Sequence, residues 1–293
     1  MERTILVTGG DKTYFLMGCM LVHSLRTFAP RLPIYFLDFG LERSQRRFLD
    51  SICTVIRRPK HINPASHHFA MKAAMGDFVR DISWTNLVWF DSDMIIIGAI
   101  VDRLKHLLGQ MKETSSVIAA SADSCGTISD FIADATSMKL SVAPFVEALG
   151  AAKIGVGETY LNVGLVVCRA AAFLDEWHKL TDSLTPHACF EQNAFNILAR
   201  KRGPVTVLPA QQWNVHGVLL REAMAGAGGF VLHATSSCAD DLAFHDWMGF
   251  GSKRISGKVK LFRNPVLREF QELVLNDFMR TSEALLERLS ILA

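Results

Sequence analysis

The chain of 293 residues has no CxxC pair, no long apolar run and almost no charge imbalance. Each absence closes a class. The six cysteines, Cys19, Cys53, Cys125, Cys168, Cys189 and Cys238, are scattered and sit mostly inside apolar runs. They fit neither a disulfide framework nor a thiolate zinc site, and read as reduced thiols packed as small hydrophobes, the usage of a cytoplasmic protein. The longest apolar stretches, such as Met94 to Val101, fall far short of the roughly 18 residues that span a bilayer. A mean hydropathy of +0.21 therefore speaks for a large buried core. Residues 1–7 enter a strand at once, without the apolar stretch of a signal peptide. Basic residues number 31 and acidic residues 29, and this near balance excludes a global basic footprint for nucleic acid.

What is present is ordinary globular material, 49% hydrophobic and 20% charged, which excludes a disordered or collagen-like chain. Apolar strands alternate with helices in the first half. Thr4–Val7 reads as a strand, Thr8-Gly9-Gly10-Asp11 as a turn, and Lys12 to Phe28 as a helix stopped by Pro30 and Pro33. Strands follow at Ile34–Leu37, Thr54–Arg57, Leu87–Phe90 and Val117–Ala120, with helices at Glu42–Ile52 and Phe69–Val79. The pattern predicts an α/β fold with a largely parallel sheet and ligands at strand carboxyl ends. The second half reads as a glycine-bearing approach from Gly155 to Gly164, strands at Leu165–Cys168, Val205–Leu208 and Phe230–His233, and helices at Ala170–Leu184 and Phe190–Lys201. Ala225–Gly229 reads as a flexible turn. Asn264-Pro265 supplies an N-cap and first-turn proline for a final helix with Val266, Phe270, Leu273, Phe278, Leu285 and Leu289 at near-helical spacing. One domain over residues 1–263 with a helical tail over 264–293 is the simplest division.

Several segments carry chemistry. Gly9-Gly10 opens like a dinucleotide-binding turn, but the next glycine is Gly18, so the spacing fails. Asp91-Ser92-Asp93 ends the strand Leu87–Phe90. Extended chain puts i and i+2 side chains on one face, so Asp91 and Asp93 converge. Such like charges suit a hard divalent cation whose other ligands are phosphate oxygens; the alternative is a strand-terminal pair capping the next element. His233 closes another apolar strand, as a metal ligand through neutral imidazole or as a core histidine. Glu191, Gln192 and Asn196 start a helix, where Glu191 also suits the positive helix end. Tyr160-Leu161-Asn162-Val163-Gly164 enters a strand with an amide side chain.

In order and spacing these segments resemble the GT-A glycosyltransferases over roughly residues 4–235, and in particular glycosyltransferase family eight, the glycogenin-like and lipopolysaccharide galactosyltransferase-like group. The resemblance implies a Rossmann-like GT-A domain with one site built from both halves, from Tyr14 to His233. It implies that Thr8 and Tyr14, with Ser24-Leu25 downstream, form the nucleotide-binding opening, the tyrosine stacking on uracil. Asp91-Ser92-Asp93 then matches the family's Asp-x-Asp motif and His233 its third metal ligand, holding Mn²⁺ or Mg²⁺, with Asp91 and Ser92 also near the donor. Lys72 lies where the family often has a lysine near donor phosphate or sugar. Asn162, Glu191 and Gln192 match the residues that line the sugar and act in catalysis, Asn196 a later asparagine, and Leu208-Pro209 with Trp213-Asn214 the family's Leu-Pro and asparagine stretch. The implied activity is metal-dependent transfer of a hexose from a UDP-sugar to a glycan, lipid-linked glycan or protein, with retention of configuration.

Two features depart from the family pattern. Ala234-Thr235-Ser236-Ser237-Cys238 follows His233 where the family has glycine, lysine, proline and tryptophan; Lys253 or Arg254 would have to supply the missing cation. Glu191 replaces an aspartate. The rival readings are a non-catalytic nucleotide-sugar-binding relative, a sugar nucleotidyltransferase, which needs a glycine-rich basic loop near the start, and a cofactor-dependent sugar epimerase. The basic stretch Lys253, Arg254, Lys258, Lys260, Arg263 and Arg268 reads either as contact with an anionic membrane at its inner face or as the solvated face of a helix packed on the domain or in a homodimer; Glu269, Glu272, Asp277, Glu283 and Glu287 dilute it. Residues 122–160, which interrupt the alternation, are expected to form an acceptor site or lid.

Overall fold

The computed structural model describes residues 2–184, 187–215, 231–234, 242–248, 254–260, 268–269 and 271–281. The expected turn at 225–229, Cys238, Lys253, Arg263, the helix start at Asn264-Pro265, and Val266, Phe270, Leu285 and Leu289 lie outside the described residues.

The elements begin β1 Thr4–Asp11, α1 Phe15–Phe28, β2 Ile34–Gly40, α2 Arg43–Asp50, β3 Thr54–Ile56, α3 His68–Ala73 and α4 Met75–Phe78. They continue β4 Asn86–Phe90, β5 Met94–Ile96, α5 Ile100–Glu113, β6 Ile118–Thr127, α6 Ile128–Ser137, α7 Ala143–Ala152 and β7 Thr159–Cys168. The last are α8 Ala171–Ser183, α9 Phe190–Lys201, β8 Val205–Leu208, α10 Ala210–Trp213, β9 Val231–His233, β10 Leu242–Met248 and β11 Arg254–Lys260. Seven strands form a mostly parallel sheet of order β3-β2-β1-β4-β7-β6-β8. The chain divides into two compact units, each of three segments: Met1–Thr4, Pro59–Trp89 and Arg103–Ala210 in the first, and Ile5–Arg58, Phe90–Asp102 and Gln211–Ala293 in the second.

The second unit is built on β1, β2 and β3, paired in parallel. The expected turn at Thr8–Asp11 is strand instead: Thr8, Gly9 and Gly10 pair with Phe36, Leu37 and Asp38. The glycines allow this, because a Cβ on Gly9 would lie 2.9 Å from the Phe39 ring and 3.0 Å from Leu37. The turn falls at residues 12–14, where the Asp11 carboxylate accepts from the N–H groups of Thr13 and Tyr14 at 2.8 and 3.2 Å. Tyr14 is the N-cap of α1. Phe15 and Phe48 meet edge to face and Phe48 meets Phe278 in the same way, each pair with centroids 6.0 Å apart. Residues 271–281 are helical, and Gln271, Leu275 and Phe278, one helical stripe, are buried. This is the packed form of the tail. Arg254, Lys258 and Lys260 lie in β11, antiparallel to β10.

In the first unit, β6 runs antiparallel to β7 and parallel to β8. The glycine-bearing approach from Gly155 is mostly strand, since β7 extends from Thr159 as ten continuous residues. The predicted helix Phe69–Val79 is two short helices meeting at Ala74. Residues 122–160 hold the end of β6, the helices α6 and α7 and the start of β7. Ile128, Phe145, Leu149, Tyr160 and Ile197 form a buried cluster there, and Phe131 stacks on Tyr160 at 4.2 Å. Each fully buried aromatic of this size contributes on the order of 2 kcal/mol by area removed from water. Trp177 of α8 is buried with its indole N–H satisfied by the Glu191 carbonyl at 2.7 Å, which fixes the start of α9. Burial pushes the Cys168 thiol up to about 12, so it stays protonated as a small hydrophobe. The five described cysteines are all free thiols.

Candidate active site

The second unit gathers the expected metal residues. β5 pairs antiparallel with β9, and the register sets Met94 opposite His233. The N–H of Ala234 then donates to the Asp93 carbonyl at 3.0 Å. Asp91, Asp93 and His233 consequently converge, with one ligand atom of each within 4.8 Å of the others. His233 Nε2 lies 3.3 Å from Asp93 Oδ1 and 4.0 Å from Asp91 Oδ2. The ring's other nitrogen, Nδ1, is 2.7 Å from Asn214 Oδ1. An amide oxygen can only accept, so Nδ1 carries a proton and Nε2 is the ring atom that faces the carboxylates. Asn214 is itself placed by Val215, whose N–H donates to Val231 and whose carbonyl accepts from His233. Two carboxylates and one imidazole are a donor set that fits a hard to borderline divalent cation.

Ser92 is buried between the two aspartates, and a Cβ on Gly10 would come within 3.7 Å of its hydroxyl and 3.1 Å of Tyr14 Cβ. Gly10 thus lets the end of β1 approach the Asp-x-Asp loop. Thr8, on the same face of β1 as Gly10, is fully buried and its hydroxyl has no hydrogen-bond partner among the described residues. Ser24 accepts from the N–H of Ile96 at 3.1 Å and so ties α1 to β5. It thereby fixes the strand that follows Asp93. Gln271 of the C-terminal helix lines a small cavity with Met17, Met20, Ser92 and Asp93.

The first unit gathers the expected sugar residues. Lys72 Nζ lies 3.8 Å from Glu191 Oε1, and both side chains are buried. Gln192 Oε1 accepts from the N–H of Val163 at 3.1 Å, and its amide donates to Asp123 Oδ2 at 3.3 Å. Asn162 donates to the same Asp123 oxygen at 2.8 Å and accepts from Gly164 N–H at 2.8 Å. One half-buried carboxylate therefore organises both amides. Asn196 holds Leu161 through both its N–H and its carbonyl, at 2.8 and 2.9 Å, which clamps α9 to β7. Asn193 accepts from the Tyr160 hydroxyl at 2.6 Å. These two asparagines brace the cluster.

No protein-family model and no curated protein matches the sequence. Solved structures do. The bifunctional glycosyltransferase WbbM, in its apo form, superposes with a TM-score of 0.58 at 15% identity over 79% of this chain and 45% of its own. The glycosyltransferase GlyE of Streptococcus pneumoniae gives 0.52 at 16% identity, covering 96% of this chain and 64% of that one. LgtC, a family-eight galactosyltransferase solved with donor and acceptor sugar analogues, gives 0.50 at 14% identity, covering 78% and 86%. The fold is GT-A. The chain spans less than half of WbbM and about two thirds of GlyE.

Within this GT-A fold, sequence reasoning missed two groups. Asp123 was hidden in a stretch expected to serve the acceptor; its only signal is a carboxylate following the apolar run Val117–Ala120, the same pattern that drew attention to Asp91. Asn214 was visible as a residue, but its hold on His233 needs the Val215 bridge to β9.

Proposed function

We propose that the chain is a metal-dependent glycosyltransferase that moves a hexose from a UDP-sugar to an acceptor, with retention of configuration. The observation that carries the reading is the Asp91–Asp93–His233 cluster with its imidazole fixed by Asn214, set in a GT-A fold. Asp91, Asp93 and His233 Nε2 would hold Mn²⁺ or Mg²⁺, which when bound neutralises the charge developing on a departing diphosphate. Thr8 and Tyr14 take the nucleoside at the end of β1, with Ser92 beside them. Asn162, Gln192 and Asp123 hydrogen-bond sugar hydroxyls as one preset network. Glu191, its charge offset by Lys72, faces the positive charge that grows at the anomeric carbon, and Lys72 lends its charge to the phosphate side. The division into a catalytic domain over 1–263 and a tail over 264–293 belongs to this reading, as does a cytoplasmic location. Among the described residues no helix is long and apolar enough to cross a membrane.

The nucleotidyltransferase alternative needs a basic glycine loop that wraps a phosphate. Gly9 and Gly10 lie within β1, paired with β2, which disfavours it. The test is UDP release from a panel of UDP-sugars with and without Mn²⁺, with calorimetry of UDP binding alongside. Metal-dependent UDP release supports transfer; binding without turnover supports a non-catalytic relative; no binding of UDP overturns the proposal.

A further inference from the structure

We propose that the acceptor is a neutral saccharide, and that it docks on a platform of rings formed by His67, His68, Phe69, His187 and Phe190. The proposal rests on the reading of the Lys72–Glu191 cluster as the sugar subsite. His67 and His68 lie nearly face to face, with centroids 4.1 Å apart and planes 31° from parallel. Phe69 meets both, at 4.7 and 4.4 Å. Phe190 joins the group from α9, 6.0 Å from His67 and 6.2 Å from Phe69, and His187 adjoins it at 6.5 Å. The result is a continuous ring surface. His67 is exposed, and His68, Phe69 and His187 are half-buried over a buried Phe190.

The position of this surface connects it to the chemistry. On α3, Lys72 follows His68 by four residues and Phe69 by three, so all three share one helix face. On α9, Phe190 immediately precedes Glu191. The same two helix starts thus carry both the platform and the buried ion pair.

The composition of the surface selects the ligand. A pyranose presents C–H faces and a rim of hydroxyl groups, so it needs flat apolar rings edged with neutral donors and acceptors. The imidazoles supply them. His67 Nδ1 accepts from the N–H of Phe69 at 3.3 Å, which leaves the ring proton on Nε2. His187 Nε2 lies 3.0 Å from the Asn193 amide nitrogen, which sets its proton on Nδ1. An anionic acceptor would call for exposed lysine or arginine. The platform has neither among its members, and the nearby Lys72 is buried against Glu191.

The test is a titration of the full chain, with UDP and Mg²⁺ present, by the methyl glycosides of glucose, galactose, N-acetylglucosamine and mannose, and by glucose 6-phosphate. The readout is the histidine ring-proton NMR spectrum. At least one neutral glycoside is expected to move the signals of His67, His68 and His187 while leaving His106 on α5 in place. H67A is expected to weaken that binding about three- to tenfold, the worth of one aromatic contact, with H67F recovering most of it. The proposal is overturned if no neutral glycoside moves these rings, if only glucose 6-phosphate does, or if H67A binds as tightly as wild type. UDP calorimetry on the same sample scores the donor reading separately.

Discussion

The two side-chain clusters are built on opposite electrostatic plans. In the second unit, two carboxylates converge on one imidazole, and the arrangement gathers acidic groups at a point. In the first unit, charge is internally matched: Lys72 meets Glu191, and the Asp123 carboxylate is hydrogen-bonded by two amides. The first kind of cluster could hold a cation. The second kind is preset, and its stability is intrinsic to the fold.

Substitutions can break or sharpen this contrast. The largest effect is expected from Asp93→Ala. Mn²⁺ affinity by calorimetry should fall by more than about 100-fold, beyond the range reached by residues that only orient a ligand. Urea unfolding without metal should change little or show a gain. An unchanged affinity would remove the metal assignment. Glu191→Gln should do the reverse. It leaves the Lys72 ammonium buried beside a neutral amide, and loss of one partner of such a pair costs about 3–5 kcal/mol. Its metal-induced rise in melting temperature should persist. If stability holds, the ion pair is not the intrinsic brace described above.

Asn214→Ala tests the boundary between the two plans, because it removes a hydrogen bond and not a ligand. Metal affinity should fall about 10–100-fold as the imidazole loses its fixed tautomer and orientation. Asn196→Ala, a change of the same chemistry in the first unit, should cost about 1–3 kcal/mol of stability and leave metal affinity alone. Equal effects of the two on metal binding would erase the distinction.

The smallest effect concerns the C-terminal helix. Hydrogen bonds from Arg280 and then His23 hold the Asp277 carboxyl below its ordinary range. A depressed folded-state pKa contributes stability that is present above the unfolded value of about 3.9 and is lost as pH falls through the folded value. Asp277→Asn should remove that acid-side dependence and only a few tenths of a kcal/mol, because the pair is largely exposed. Urea titrations at pH 7 and pH 3 would show it; a loss above 1 kcal/mol at pH 7 would mark the helix as more firmly docked than its contacts imply.

Much of this architecture was legible in the sequence because it depends on local chemistry. Strand-terminal Asp91 and Asp93 announce themselves by apolar flanks, and α9 and β8 fall where periodicity puts them. The misreadings came from non-local pairing. Gly9 and Gly10 look like a turn to local rules, yet β2 draws them into β1. Thr159–Gly164 looks irregular until Ser121 and Ala122 of β6 pair with Asn162 and Leu161. Asp123 is hard to see in the sequence, since the two side-chain amides that donate to it lie 39 and 69 positions away.

The β5–β9 pairing brings Asp93 and His233 together across roughly 140 residues of chain. An ion bridging them would act as a removable cross-link on a very long loop. Closing a loop of that order by a permanent covalent bond is worth about 4–5 kcal/mol in chain-entropy terms. The longest segment of the first unit, Arg103–Ala210, lies within this loop. The clasp is therefore a contact of high sequence separation, costly to close before the chain between its ends is compact. On the metal reading proposed above, metal availability during synthesis would set how long the newly made chain stays open to proteases.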